Sequence, residues 1–293
     1  GGSRYIGHWL NPGTTTDLSV YAEGSPLDRA IFLFLIVAGS YVLLKRRLSW
    51  KDVFTNNIWV WLYFLYGLIS LAWSDLPFVA LKRWVKGLGT LIMALIILSE
   101  VKPYKALESI LKKMAFLLLP LSVILINYFP RLGRTFHMGR PTYIGVTGHK
   151  NMLGMLCLIA GIYFLWKFLF RPVEQSTSKD RARLVLYAVM VAMIIWLFYK
   201  ADSATSRACM FAAIFILLVS WIPSFRQRPQ RTMVFFVVFF IMAFSIEALF
   251  GVKDRIIVLL GREPSLTSRV PMWNDLISMV RNPILGFGYD SFW

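Results

Sequence analysis

Hydrophobic residues along the chain fall into eight runs, and short polar segments separate them. A helix needs about 20 predominantly apolar residues to cross a bilayer. Several runs are shorter, so flanking Trp, Lys and Arg side chains at the membrane interfaces must complete them. The pattern predicts an all-α, polytopic membrane helix bundle with about eight spans. The predicted spans are 28–44, 58–73, 85–99, 114–129, 152–169, 184–199, 207–222 and 233–250.

The amino-acid composition is typical of a membrane protein, and this changes what the net positive charge of the chain indicates. The 293 residues are 57% hydrophobic, whereas soluble domains are about 45–50% apolar. The formal net charge is +17, which in a soluble protein would suggest nucleic acid as the partner. Here the cations lie between the apolar runs, so the lipid bilayer and its anionic head groups are the expected partners, and nucleic acid is not.

The spans divide the chain into three parts. We expect 1–27 to be an external N-terminal segment, 28–250 the helix bundle, and 251–293 the start of an external loop. That loop contains an amphipathic helix at the interface, whose apolar face is formed by Val270, Trp273, Ile277 and Val280. The chain begins without Met and stops within an apolar and aromatic sequence. We therefore expect it to be a piece of a longer protein, lacking both ends.

The polar segments predict an orientation. The short basic segments 45–51, 101–113, 170–183 and 223–231 would share one side, which the positive-inside rule makes cytoplasmic. The other side carries equally many Lys and Arg residues. An outer face this basic indicates that it binds an anion.

Three predicted helices begin on that outer side, and cations accompany each start. A cation is unfavourable at the positive end of a helix dipole, unless an anion lies in front of it. Free backbone N–H groups together with cations form an anion site. The alternative is that these side chains simply extend to the membrane interface. The residues concerned are Lys82, Arg83 and Lys86 at the third helix, His149, Lys150 and Asn151 at the fifth, and Arg207 at the seventh.

Glycines around the fifth helix start would let an anion approach the backbone closely; these are Gly145, Gly148 and Gly154. The sequence shows no phosphate-binding loop and no His/Cys spacing typical of a metal site. We therefore expect neither a metal nor a cofactor.

Three segments resemble the O-antigen ligase and exopolysaccharide polymerase superfamily, in particular its exopolysaccharide-polymerase-like branch. They are "YIGVTGHKNMLG" (143–154), "ADSATSRACMF" (201–211) and "GREPSLTSRVPMWNDLISMVRNPILGFGYDSFW" (261–293). The last is the most specific of the three, and the resemblance covers nearly the whole chain.

The resemblance implies a glycosyltransferase of the bacterial inner membrane with an external, periplasmic active face. It implies a glycan donated from a polyprenyl-pyrophosphate carrier such as undecaprenyl pyrophosphate, without cofactor or metal. The acceptor is a lipid A core in ligases and another lipid-linked glycan in polymerases, and the sequence leaves this choice open. The alternative function is a non-enzymatic binder of lipid-linked glycan, or a flippase-like transporter.

By motif, Arg207 and Arg269 match the arginines thought to bind the pyrophosphate, and His149, Lys150 and Asn151 match the segment opening the fifth helix. Arginine suits this role because its planar fork binds phosphate oxygens bidentately and keeps its charge. The family's catalytic His follows the last motif, so we expect the base beyond Trp293. Within the chain the candidate bases are His149, which we interpret first as a ligand contact, and Asp202.

Overall fold

The computed structural model describes residues 26–46, 48–137, 140–169, 178–250, 269–279 and 285–290. These residues are predominantly helical, which confirms the all-α class. The predicted external segment 1–27 lies almost entirely outside the described residues. Of the predicted amphipathic face in the C-terminal part, only the Ile277 side chain is described, and it is exposed.

Each of the eight predicted segments overlaps a described helix, and several short elements lie between these helices. The elements are α1 Pro26–Lys45, α2 Trp50–Asn56, α3 Ile58–Ile69 with the 3₁₀ turn Ser70–Trp73, α4 Pro77–Leu98, α5 Pro103–Tyr128, α6 Pro130–Gly133, β1 Arg134–His137, β2 Arg140–Tyr143, α7 Lys150–Leu169, α8 Ser178–Ala201, α9 Ala204–Trp221, α10 Pro223–Arg226, α11 Pro229–Phe250 and α12 Arg269–Met279.

Among the described residues, five helices are long and apolar enough to cross a membrane. They are α1, α5, α7, α9 and the Leu184–Ala201 part of α8. The stretches Ile58–Trp73 and Gln230–Met242 are apolar but shorter. The structure thus supports a multi-helix membrane protein, and the count of eight spans stays a prediction.

Two helices begin at least eight residues earlier than predicted. α4 begins at Pro77 rather than at residue 85, and α5 begins at Pro103 rather than at residue 114. Proline suits the first turn of a helix because its fixed φ is helical and its missing N–H would have no partner there. The prediction that Lys82, Arg83 and Lys86 lie at a helix start is therefore wrong, since they lie inside α4.

The chain divides into two compact units. The first contains Glu100–Pro229 and the second contains Ala30–Ser99 with Gln230–Trp293. The core of the first unit is formed by side chains of α5, α7 and α8 that are almost completely buried, together with Val146. Its most buried members include Leu119, Ile126, Val146, Leu153, Cys157, Phe164 and Leu197.

A short antiparallel hairpin, absent from the predicted elements, follows α5 and α6 in the first unit. It pairs β1 with β2, so that Arg134 lies opposite Tyr143. Before it the chain turns so tightly that a Cβ at Gly133 would lie 2.3 Å from the carbonyl oxygen of Leu125. Only glycine fits at that point, which fixes the hairpin against the end of α5.

The second unit packs α1 against α4 and holds the turn 285–290 on α3 and α4. A Cβ at Gly39 would lie 2.8 Å from Cγ2 of Ile92, so these two helices are in close contact. The indole Nε1–H of Trp73 donates to the carbonyl of Leu285 at 3.1 Å. The Tyr289 ring packs against Gly67, where an added Cβ would lie 2.7 Å from Cδ2 of the ring.

Candidate functional site

The loop before α7 is anchored in the core of the first unit. Val146 and Thr147 are fully buried. The N–H of Val146 donates to Oγ of Ser122 on α5 at 3.3 Å. The hydroxyl of Thr147 lies 2.7 Å from the carbonyl of Ile144 and 3.1 Å from that of His149. The backbone that leads into α7 is thus held in place by hydrogen bonds and burial.

His149 caps the start of α7. Its Nδ1 accepts a hydrogen bond from the backbone N–H of Asn151 at 3.2 Å, while the residue itself is exposed. This bond uses Nδ1, so Nε2 is the ring nitrogen left for a ligand. The interpretation of His149 as a ligand contact before a base stays a prediction.

The starts of α7 and α9 touch each other. A Cβ at Gly154 in α7 would lie 2.6 Å from Oγ of Ser206 and 2.8 Å from Cβ of Ser203. Ser203 is the N-cap of α9, and its hydroxyl lies 3.0 Å from that of Ser206. Gly154 therefore permits close helix packing instead of the approach of an anion to the backbone that the sequence suggested.

The two other glycines of this segment differ in the space around them. Gly145 has a φ of +54°, and its Cβ position lies 2.8 Å from Cβ of Ser122. It therefore serves the turn of the buried loop. Gly148 has only Met152 Sδ within 4 Å, at 3.8 Å from its Cβ position, and it is exposed. Of the three glycines, Gly148 keeps open space for a ligand.

Arg207 lies in the first turns of α9, and Asp202 lies in front of that helix. The guanidinium donates to Oδ1 of Asp202 at 2.6 Å, and the two side chains are 42% and 63% exposed. Asp202 has a φ of +44°, which turns the chain between α8 and α9. A carboxylate at the positive end of the helix dipole is favourable and offsets the cation. Because both groups reach solvent, an anionic ligand can replace the carboxylate at Arg207.

Lys200, in the last turn of α8, lies among aromatic rings of the first unit. Its Nζ is 4.8 Å from the ring centre of Tyr143, 5.6 Å from Trp196 and 5.9 Å from Tyr199. The guanidinium of Arg134 lies 5.4 Å from the centre of the Tyr143 ring. Lys200 and Arg134 were not among the predicted site residues, although Tyr143 begins the motif 143–154 and Lys200 immediately precedes the motif 201–211.

These contacts gather several cations at one end of the first unit, which we call the basic end. Tyr143 contacts Lys200, and Gly154 contacts the start of α9, so the α7 start, the α8 end and the α9 start meet there. Two helix N-termini and several cations suit a ligand with more than one negative charge. The basic end is formed by Arg134, Tyr143, His149, Lys150, Asn151, Lys200, Asp202 and Arg207.

The remaining predicted site residues belong to the second unit. Arg83 donates to the carbonyl of Asp290, and its Nε lies 4.0 Å from Oδ2 of that residue. Lys86 Nζ lies 5.6 Å from the centre of the Phe32 ring, and Lys82 is exposed. α12 begins at Arg269, whose side chain is outside the described residues. That all these cations serve one site stays a prediction.

The fold and the basic end define a polytopic membrane protein with an exposed cationic surface at one end of its first unit. No protein-family model and no solved structure matches the chain. The chain is similar to "Exopolysaccharide production protein ExoQ" of Rhizobium meliloti (strain 1021), with 22% identity over 251 residues. The match covers 82% of this chain but 53% of the relative, so the chain spans about half the length of that protein. This similarity supports the predicted resemblance to the exopolysaccharide polymerase and O-antigen ligase-like family.

Proposed function

We propose that the chain takes part in cell-surface polysaccharide production as a membrane glycosyltransferase. It moves a glycan from a polyprenyl-pyrophosphate carrier to a lipid or glycan acceptor. The observation that carries the proposal is the contact of Gly154 with Ser203 and Ser206, which brings the cationic starts of α7 and α9 together. The similarity to an exopolysaccharide production protein gives independent support.

The chemistry of the transfer matches the basic end. The acceptor hydroxyl attacks the anomeric carbon, and the bond between that carbon and the pyrophosphate oxygen breaks. The bonding electrons leave with the pyrophosphate, so negative charge grows on the leaving group. Arg207, Lys150 and the positive end of the α7 helix dipole would stabilise that charge, because prepositioned charges and dipoles act most strongly where charge develops. The acceptor proton passes to a base that we do not assign.

We further propose that the basic end faces the external side of a bacterial inner membrane. The contact of Tyr143 with Lys200 supports a shared side for 131–151 and 200–207. Phe136 is 76% exposed, and the side chain of Asp202 is 63% exposed. Single cysteines at these positions, in a background lacking exposed Cys209, should react with a membrane-impermeant maleimide from the external side. Reaction from opposite sides would contradict this orientation.

The direct test is incubation of the protein, purified from its intact open reading frame, with a polyprenyl-pyrophosphate oligosaccharide and an acceptor. Formation of the transferred glycan, lost in Arg207→Ala, is the expected result. Binding of the carrier without product would instead favour a carrier binder or flippase-like transporter. Absence of both carrier binding and product would refute the proposal. Lys113→Ala, an exposed cation within α5 that lies outside the basic end, is the matched control.

A further inference from the structure

A second group of cations lies at the end of the first unit opposite to the basic end. α5 has 26 residues, which is about 39 Å at about 1.5 Å per residue, so its two ends are far apart. Its last residue, Tyr128, precedes the hairpin of the basic end, and its first residue, Pro103, therefore lies at the opposite end. We call the four lysines around the start of α5 the lysine stripe; they are Lys102, Lys105, Lys112 and Lys113.

The lysine stripe is exposed and its charge is not compensated locally. All four residues are exposed, and Lys105 and Lys112 lie two helical turns apart on the same side of α5. In the part of the chain that the structure describes, none of the four forms an ion pair. α5, which the structure describes throughout, also has no acidic residue in its first turn. The stripe and the positive end of the α5 dipole therefore both favour an anionic partner.

Glu108 lies between Lys105 and Lys112 but does not neutralise them. A glutamate pairs most favourably with a lysine four residues later in a helix, which here is Lys112. Oε1 of Glu108 instead lies 2.6 Å from Nζ of Lys167 on α7. Lys167 thus neutralises Glu108, and the charge of the stripe stays free to attract another anion.

The same contact places the stripe at a membrane interface. Trp166, next to Lys167, is 42% exposed, and its ring centre lies 5.0 Å from Nζ of Lys167. Exposed tryptophan is typical of the head-group layer of a bilayer. Since Lys167 contacts Glu108, Trp166 lies at about the depth of the middle of the stripe. The apolar run of α5 begins at residue 114, two residues after Lys112, so long lysine side chains can reach lipid phosphates.

We propose that the lysine stripe binds anionic phospholipid, with the lipid phosphate between Lys105 and Lys112. The basic composition predicts anionic head groups as partners in general, and the pairing of Glu108 with Lys167 assigns them to this surface. Each lysine near an anionic surface changes affinity about fivefold. Lipid binding there does not depend on the proposed glycosyl transfer, because the stripe and the basic end lie at opposite ends of the first unit.

The test measures lipid contact at Ser109, which is exposed and lies between Lys105 and Lys112. Ser109→Cys, in a background lacking exposed Cys209, carries a fluorophore on the protein from its intact open reading frame, in phosphatidylcholine vesicles. Quenching by spin-labelled phosphatidylglycerol is compared with quenching by spin-labelled phosphatidylcholine. We expect phosphatidylglycerol to be preferred, and salt at about 1 M to remove most of the preference.

Single substitutions separate the stripe from general attraction between the protein and the membrane. Lys112→Gln should lower the preference about fivefold. Arg131→Gln is the matched control, because Arg131 is an exposed cation in α6, beyond the other end of α5, and it should follow the parent. Equal effects of both substitutions would overturn the assignment of lipid to the stripe.

The ion pair gives the sharper result. Lys167→Met frees Glu108 to pair with Lys112, so the preference should fall about fivefold although Lys167 is not part of the stripe. Glu108→Gln in that background should restore it. Equal quenching of the parent by both lipids would overturn the assignment in favour of a soluble anionic partner. Parent-like preference in Lys167→Met would show that the ion pair does not control the stripe, and neither result bears on the basic end.

Discussion

Replacing Gly154 by alanine should separate the starts of α7 and α9. The added Cβ would lie 2.6 Å from Oγ of Ser206, 3.0 Å from its Cβ and 2.8 Å from Cβ of Ser203. Real Cβ atoms do not approach this closely, so a neighbour must move. Ser203 and Ser206 are 2% and 7% exposed and their hydroxyls lie 3.0 Å apart, which leaves them little freedom.

The expected cost is that of overpacking a close-packed contact. Such insertions destabilise proteins by about 1–3 kcal/mol. Alanine is otherwise the better helix former by about 1 kcal/mol, so the net loss of stability should be about 0–2 kcal/mol. Displacement of α9 should also move Arg207 relative to Lys150, so we expect pyrophosphate binding to weaken more than stability falls.

The assay measures thermal stability in detergent and affinity for polyprenyl pyrophosphate in the same preparations. Gly148→Ala is the matched control for stability only, because its Cβ position has only Met152 Sδ within 4 Å, at 3.8 Å, and the open space there belongs to the proposed ligand site. Ser206→Gly in the Gly154→Ala background removes the closest contacts and should restore part of the loss. If Gly154→Ala matched the parent in both stability and affinity, this contact would not be what builds the basic end.

Three further predictions concern other contacts. Lys200→Met should lower stability by about 1 kcal/mol, because cation–π contacts with Tyr143, Trp196 and Tyr199 are lost. Lys200→Arg should restore most of that loss. Equal melting temperatures for the parent and both variants would contradict this prediction. A double-mutant cycle of Glu108→Gln and Lys167→Met should show a coupling energy of about 0.5–1 kcal/mol. Lys167 Nζ lies 2.6 Å from Oε1 of Glu108, but both side chains are about one-third exposed, so solvent screens the ion pair. Zero coupling would show that the ion pair contributes nothing to stability. Burial, then a hydrogen bond with Tyr63, raises the pKa of Tyr289 to about 12, so docking of the turn 285–290 should hold below about pH 10 and weaken as the pH rises towards 12. Ultraviolet titration of the parent against Tyr289→Phe measures this, and titration of Tyr289 at its ordinary pKa would contradict it.

The sequence predicts the bodies of the helices better than their beginnings. The predicted fifth span, 152–169, nearly equals α7, because an apolar run and the helix coincide there. α5 begins well before its apolar run, since its first turns carry Lys105, Glu108 and Lys112 on an amphipathic helix. Hydropathy alone does not detect such turns, but Pro103 was a usable signal for the start.

The contacts of the site depend partly on residues close together in the sequence and partly on residues far apart in it. The partner of Arg207 could be anticipated, because Asp202 lies five residues earlier at the positive end of the same helix. The contacts of Gly154 with Ser206 and of Tyr143 with Lys200 join segments more than fifty residues apart. They depend on how α7, α8 and α9 pack, and local periodicity carries no such information.

The central claim is that Arg207 binds the pyrophosphate of a lipid carrier and is held by Asp202 until the ligand arrives. The most direct measurement is the affinity of polyprenyl pyrophosphate for the parent, Arg207→Ala and Asp202→Asn. Arg207→Ala should weaken binding by about 1.5–3 kcal/mol, which is about 10- to 150-fold. Asp202→Asn should strengthen it, because asparagine tolerates the left-handed backbone at this position while the competing charge disappears. Unchanged affinity in Arg207→Ala, or weaker binding in Asp202→Asn, would contradict the account.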